Sequence, residues 1–235
     1  MPRYLFSAVI VCIAAACGSG ESGITQPSPQ AVLVHNTLNA PDNPASRSLV
    51  PSIERPPSPV GFPFALPRAF DDFTSAVTTA IRTVSWQGGY CSGGPTPPPG
   101  TSPQPPATAA ASSFQLGFYR DNNSGYPNWP STALYEVTFT PADVHERFTF
   151  DSGSTANGCS WESPNATYYD YTAVLPTPFP VTAGTRYWLL VLADTRNTGI
   201  GWGWRVGRQD NNHSANMVQS LQIGPFDLAF SLSDQ

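Results

Sequence analysis

Several residue groups in this chain are of types that could do chemistry. Asp71, Asp72 and Asp227 flank the expected first and last core strands. Carboxylate oxygens gathered at such a seam would suit a structural Ca²⁺, and strand-end carboxylates capping turns are the plainer reading. Four aromatics sit in or beside polar loops: Tyr126 and Trp129 in DNNSGYPNWP, Trp161 in NGCSWESPN, and Trp202 after NTGIG. Exposed rings of this kind would bind carbohydrate by stacking on pyranose faces; folding back onto the domain's edge is the alternative. His145-Glu146 begins like a zinc-protease motif, but Thr149 stands where the second histidine is needed. Phe148 to Ser154 (FTFDSGS) resembles the Asp-Ser/Thr-Gly turn of aspartic proteases. That chemistry needs two carboxylates sharing a proton, so a hydrolase built around Asp151 would have to dimerise. Asp-Ser-Gly is also an everyday turn. No nucleophile elbow and no histidine cluster is present, so no complete catalytic constellation emerges and a non-catalytic role is expected.

Composition narrows the field further. Among 235 residues the net charge is −5, and every basic residue is arginine. With no basic run, nucleic acid is not an expected partner. Charged residues make up only 11% and aromatics 12%, which suits a packed domain with an apolar interior rather than a disordered chain. Of four cysteines, Cys12 lies in an apolar N-terminal run and Cys17 just after it. Cys91 and Cys159 remain as an even pair, expected to form a disulfide in an oxidising compartment, with two separate buried thiols as the alternative.

The N-terminus reads Met1-Pro2-Arg3, then YLFSAVIVCI, then Ala14-Ala15-Ala16-Cys17. The apolar run is too short to span a bilayer, which takes about 20 residues. Its order resembles a bacterial lipoprotein signal, with Ala14 where leucine is usual. The resemblance implies cleavage before Cys17, acylation of that cysteine and an extracytoplasmic membrane anchor. Gly18 in place of aspartate favours the outer membrane of the cell envelope. The expected organisation is a signal peptide over 1–16, a Pro/Ser-rich tether over 17–60 with room for one extended piece, and a folded domain over 61–235. A proline-rich insertion occupies 92–113 within that domain.

Period-two alternation predicts the elements that would position these groups. It runs through Val84–Tyr90, Phe114–Tyr119, Tyr135–Phe139, Phe148–Phe150, Tyr169–Ala173, Trp202–Val206 and Phe226–Leu232. Arg186–Ala193 (RYWLLVLA) is nearly continuous and reads as a central strand buried on both faces. Helical spacing shows only weakly over Asp72–Ile81. Trp86, Trp188 and Trp204 read as core, Gly88-Gly89 as a bulge or strand end, and Arg186 and Arg205 as covers for aromatic faces. The fold class expected is all-β, an antiparallel two-sheet β-sandwich of jelly-roll type. The blocks Asp71-Asp72-Phe73, Trp86-Gln87-Gly88-Gly89-Tyr90, Phe118-Tyr119-Arg120-Asp121, Tyr169-Asp170-Tyr171, Ala183–Leu189, Trp202-Gly203-Trp204 and Asp227–Phe230 resemble a recurrent bacterial exported β-sandwich family of unknown function. That family resembles jelly-roll modules that bind carbohydrate or sit as surface spacers and brings no activity with it; the role expected is a surface module that binds carbohydrate, or a structural spacer or adhesion part meeting another envelope protein.

Overall fold

The computed structural model describes residues 33–38, 49–54, 68–91, 111–123, 129–151, 166–196, 201–208, 214–217, 221–224 and 226–235. Among these residues, fourteen strands build two sheets. In chain order they are β1 (Leu33–Asn36), β2 (Leu49–Pro51), β3 (Ile53–Glu54), β4 (Arg68–Thr74), β5 (Thr79–Cys91), β6 (Ser113–Asp121) and β7 (Pro130–Phe139). There follow β8 (Val144–Asp151), β9 (Ala166–Val181), β10 (Arg186–Asp194), β11 (Gly201–Arg205), β12 (Ser214–Met217), β13 (Leu221–Gly224) and β14 (Phe230–Ser233).

The first sheet is organised on the long strand β5. β9 pairs along one edge of β5 and carries β8 beyond it. The other edge is shared: β14 pairs with Thr83–Trp86 and β11 with Gly88–Cys91, and these carry β1 and β2 in turn. The second sheet runs β13-β12-β4-β10-β6-β7, with β3 parallel to the end of β10. The sheets do not close into a barrel, and the architecture is a β-sandwich.

Alternation explains the core. Phe73, Trp86, Phe118, Tyr171, Leu189 and Phe230 point between the sheets. β10 is buried on both faces, as its continuous apolar run predicts. Tyr187, Leu189, Val191 and Ala193 join the main core, while Trp188, Leu190 and Leu192 form a second cluster with Phe70, Tyr119 and Ala215 on the opposite face. Trp86, Trp188 and Trp204 are fully buried.

Three short strands, β1 to β3, fall within 17–60, where room for one extended piece was expected. Ser52 shows why the short strands hold. Its amide reaches Trp202 O in one sheet and its carbonyl accepts from Ala193 N, at 3.0 Å, in the other, so the chain crosses between the sheets there. The weak helical spacing over Asp72–Ile81 is instead β4, a corner and β5. Gly88 and Gly89 form neither bulge nor strand end; they pair in register with both β9 and β11. A Cβ on Gly88 would lie 2.2 Å from Trp202 Cζ2, and one on Gly89 3.3 Å from Leu49 Cδ1. The glycines clear space for the side chains packed over them.

Candidate ligand groove

One end of the sandwich carries an open groove of about 960 Å³, within the usual size range of ligand sites. β6 delivers Arg120 and, just past its end, Asn123. β7 delivers Tyr135, β9 Phe179, and β10 Arg186 and Tyr187.

Local chemistry shapes each wall. Asn123 takes a left-handed conformation (φ 50°), a position asparagine tolerates, and turns the chain after β6. Asn122 then bonds the backbone of Trp129 in both directions, its N–H donating to Trp129 O at 3.1 Å and its Oδ1 accepting from Trp129 N. This sets Trp129, half-buried, beside the start of β7. On the opposite wall β9 bulges: Val174 pairs with Thr83 and Phe179 with Ile81, so four β9 residues stand opposite Arg82 alone. Pro176 and Pro178 fall in this stretch, where no ladder donor is required. Gly184, at φ 73°, completes the turn into β10, and its N–H donates to Ser75 O at 2.9 Å.

The charges in the groove are unequally committed. Asp121 accepts from Trp188 Nε1 at 2.9 Å and is buried. Arg186 Nε lies 3.1 Å from buried Asp72, so it pairs with a carboxylate rather than covering an aromatic face. The exposed guanidinium of Arg120 has no hydrogen-bond or ion-pair partner among the described residues. Tyr187 OH accepts from Thr182 N at 3.1 Å, which fixes its ring, and Tyr135 remains partly open.

A family model described as a domain of unknown function (DUF7901) matches residues 62–230. The chain belongs to this family. No curated protein and no solved structure matches it. The matched span takes in every strand that lines the groove of this DUF7901 domain. Two of the sequence blocks supply the groove directly, Phe118–Asp121 through Arg120 and Ala183–Leu189 through Arg186 and Tyr187.

The aromatics singled out in the sequence have separate fates. Trp129 lies next to the groove, whereas Tyr126 and Trp161 fall outside the described residues. Trp202 is corrected: it is fully buried, its Nε1 donates to Tyr171 OH at 3.3 Å, and its ring packs edge-on to Phe114. It cannot serve as a sugar platform. Arg205 lies 5.7 Å over the Tyr168 ring, as expected of a cover.

The three aspartates do not make a metal cage. Asp71 points inward, fully buried, and accepts from Leu228 N at 2.5 Å and Asp72 N at 3.1 Å. Burial pushes its carboxyl well above the usual range, with the nearby Asp227 adding to the effect. A buried carboxyl already taking two amides is a poor cation ligand, and Asp72 is turned to Arg186. Among the described residues no group of three or more His, Cys, Asp or Glu is placed to hold a metal ion.

A constellation missed in the sequence lies at the seam where β8 meets the core. Glu146 stands opposite Tyr171, and Tyr90 OH donates to Glu146 Oε2 at 3.2 Å. Phe114, Val144 and Ala111 complete a depression of about 470 Å³. Glu146 belongs to an exposed edge strand, but its carboxyl turns into the seam. Burial raises its pKa above the ordinary 4.5, against lowering by bonds from Tyr90 and Tyr171. The signal available in the sequence was Glu146 sharing alternation with Val144 and Phe148. His145, the next residue along β8, also lines this depression, and no metal-holding group forms there among the described residues. The raised pKa stabilises the fold fully below the unfolded value, and that contribution fades as pH rises through the folded one. Glu146→Gln should therefore flatten the stability decline from pH 4.5 towards neutrality, read as melting temperature against pH; an unchanged slope would show that the carboxyl is solvated.

Asp151 closes β8 opposite Thr167. Its side chain, the Ser-Gly that follows and Cys159 lie outside the described residues, as does the side chain of Cys91, the last residue of β5. The signal segment with Cys17 lies outside them too.

Proposed function

We propose that this chain is a non-catalytic surface module, lipid-anchored through Cys17 on the extracytoplasmic side of a bacterial cell envelope, in the outer membrane, that binds carbohydrate in the end groove. The observation that carries the binding role is the groove itself. A partly open Tyr135 ring, the exposed Asn123 and the unpaired Arg120 stand on strand ends and a pinned turn, the mix of apolar face and fixed polar groups that sugars require. The anchor rests on the order of residues up to Cys17, and the same compartment would keep Cys91 and Cys159 oxidised as a pair.

The test is polysaccharide binding by the mature chain, after mass spectrometry of its N-terminus. An acylated Cys17 is expected there, and a different, unmodified terminus would remove the anchor. Binding to at least one polysaccharide is expected, weakened about tenfold by Tyr135→Ala, the scale of one aromatic contact. No binding across a broad panel would favour the alternative, a spacer or adhesion part that meets another envelope protein.

A further inference from the structure

We infer that the groove selects an acidic glycan, one whose sugars carry a carboxylate, and that Arg120 is the residue that recognises it. The inference rests on the carbohydrate reading of the groove and adds the charge class of the ligand.

In a chain of net charge −5, four of the eight guanidiniums among the described residues are engaged, and of the other four, Arg68, Arg82, Arg120 and Arg208, it is Arg120 that lines the groove. Arg147 meets Asp170 at 2.6 Å, Arg196 meets Asp194 at 2.7 Å, Arg186 meets Asp72, and Arg205 Nη1 donates to Gln87 Oε1 at 3.2 Å. Arg120 lies in a concave wall with none of these arrangements among the described residues. Among the described residues, the acidic one that lines the groove is its neighbour Asp121. That carboxylate is buried and accepts from the Trp188 indole, and successive strand residues face opposite ways, so it does not neutralise Arg120. Arg186 adds a second cation on the rim, partly balanced by Asp72.

The groove mouth is therefore locally positive on a negative protein. Its aromatic and proline walls concentrate that field. A guanidinium presents a planar fork that matches a carboxylate bidentately. Tyr135, Asn123 and Thr185 surround it with neutral hydrogen-bonding groups suited to sugar hydroxyls.

The experiment measures binding of the mature chain to oligogalacturonate and to its fully methyl-esterified form, which keeps the sugar and removes the charge. The free acid should bind at least tenfold more tightly, with affinity falling as salt rises. Arg120→Gln should abolish the preference, so that the variant binds the acid about as weakly as it binds the ester. Arg120→Lys should recover only part of the loss, because the point charge returns without the fork. Equal binding of acid and ester by the unaltered chain would overturn the acidic preference while leaving the carbohydrate reading intact. An Arg120→Gln chain that still prefers the acid would remove Arg120 from the role. Failure to bind either form, together with failure on every neutral polysaccharide, would overturn both readings.

Discussion

Replacing Gly88 with alanine should cost the domain about 3 kcal/mol, at the upper end of ordinary overpacking. The added methyl would meet Trp202 Cζ2 at 2.2 Å, Cε2 at 2.7 Å and the Gly203 carbonyl at 2.9 Å. The indole has nowhere to retreat, because it is held by Tyr171 OH and packed edge-on against Phe114 and Tyr171. The backbone carbonyl cannot yield without disturbing the pairing of β11 with β5. Urea denaturation gives the measurement, as a lower midpoint at unchanged slope. A double-mutant cycle with Trp202→Phe separates this contact from a general effect on the strand. The smaller ring should recover at least about 1 kcal/mol of the Gly88→Ala loss, and strict additivity would show that the two positions do not press on each other.

Asp71→Ala should be nearly as costly, about 2–3 kcal/mol, because it leaves the buried amides of Leu228 and Asp72 without their acceptor. Asp71→Asn should behave differently: Oδ1 takes Asp72 N and Oδ2 takes Leu228 N, so the amide keeps one acceptor and sets its NH2 against the other N–H. The Asp71 pKa is raised above the unfolded 3.8. The stabilisation tied to its neutral form is complete below the unfolded pKa and is lost as pH rises through the folded one. The asparagine variant should therefore fall between Asp71→Ala and the parent in melting temperature, with its deficit widening as pH falls towards 4. A parent that gains stability relative to Asp71→Asn with rising pH would mean that the carboxylate is ionised and favourably paired.

Alternation made much of the fold legible before the structure. It located β5, β6, β9, β10 and β11, and the unbroken apolar run of β10 implied cover on both faces. It could not reveal β1–β3, whose two to four residues carry too little pattern; backbone pairing to distant strands holds them. Trp202 was misjudged because its surroundings in sequence are polar, while the pocket that receives it is made by Gly88 on another strand. Asp71 and Asp72 sit side by side in sequence, and only their place in β4 sends one inward with Ala69 and Phe73 and the other outward towards Arg186. Trp129 was legible as a loop aromatic, and it stands half-buried just before β7. Arg120 was not, because being unpaired depends on what the remaining side chains do.

The sharing of one β5 edge has a consequence for how this chain can fold. β14, from the last residues, lies between β5 and β1, and β1 comes from the first strand of the domain. Thr37, just after β1, tightens that closure, its hydroxyl donating to Leu228 O and accepting from Phe230 N at 3.1 Å. The first sheet therefore cannot be completed until β14 has been delivered. Pairings of such long sequence separation form slowly. A chain emerging vectorially, N-terminus first, would hold this sheet open until β14 has followed all the other strands out. That delay makes residues 226–235 the ones whose loss should leave the sheet in a form open to proteases.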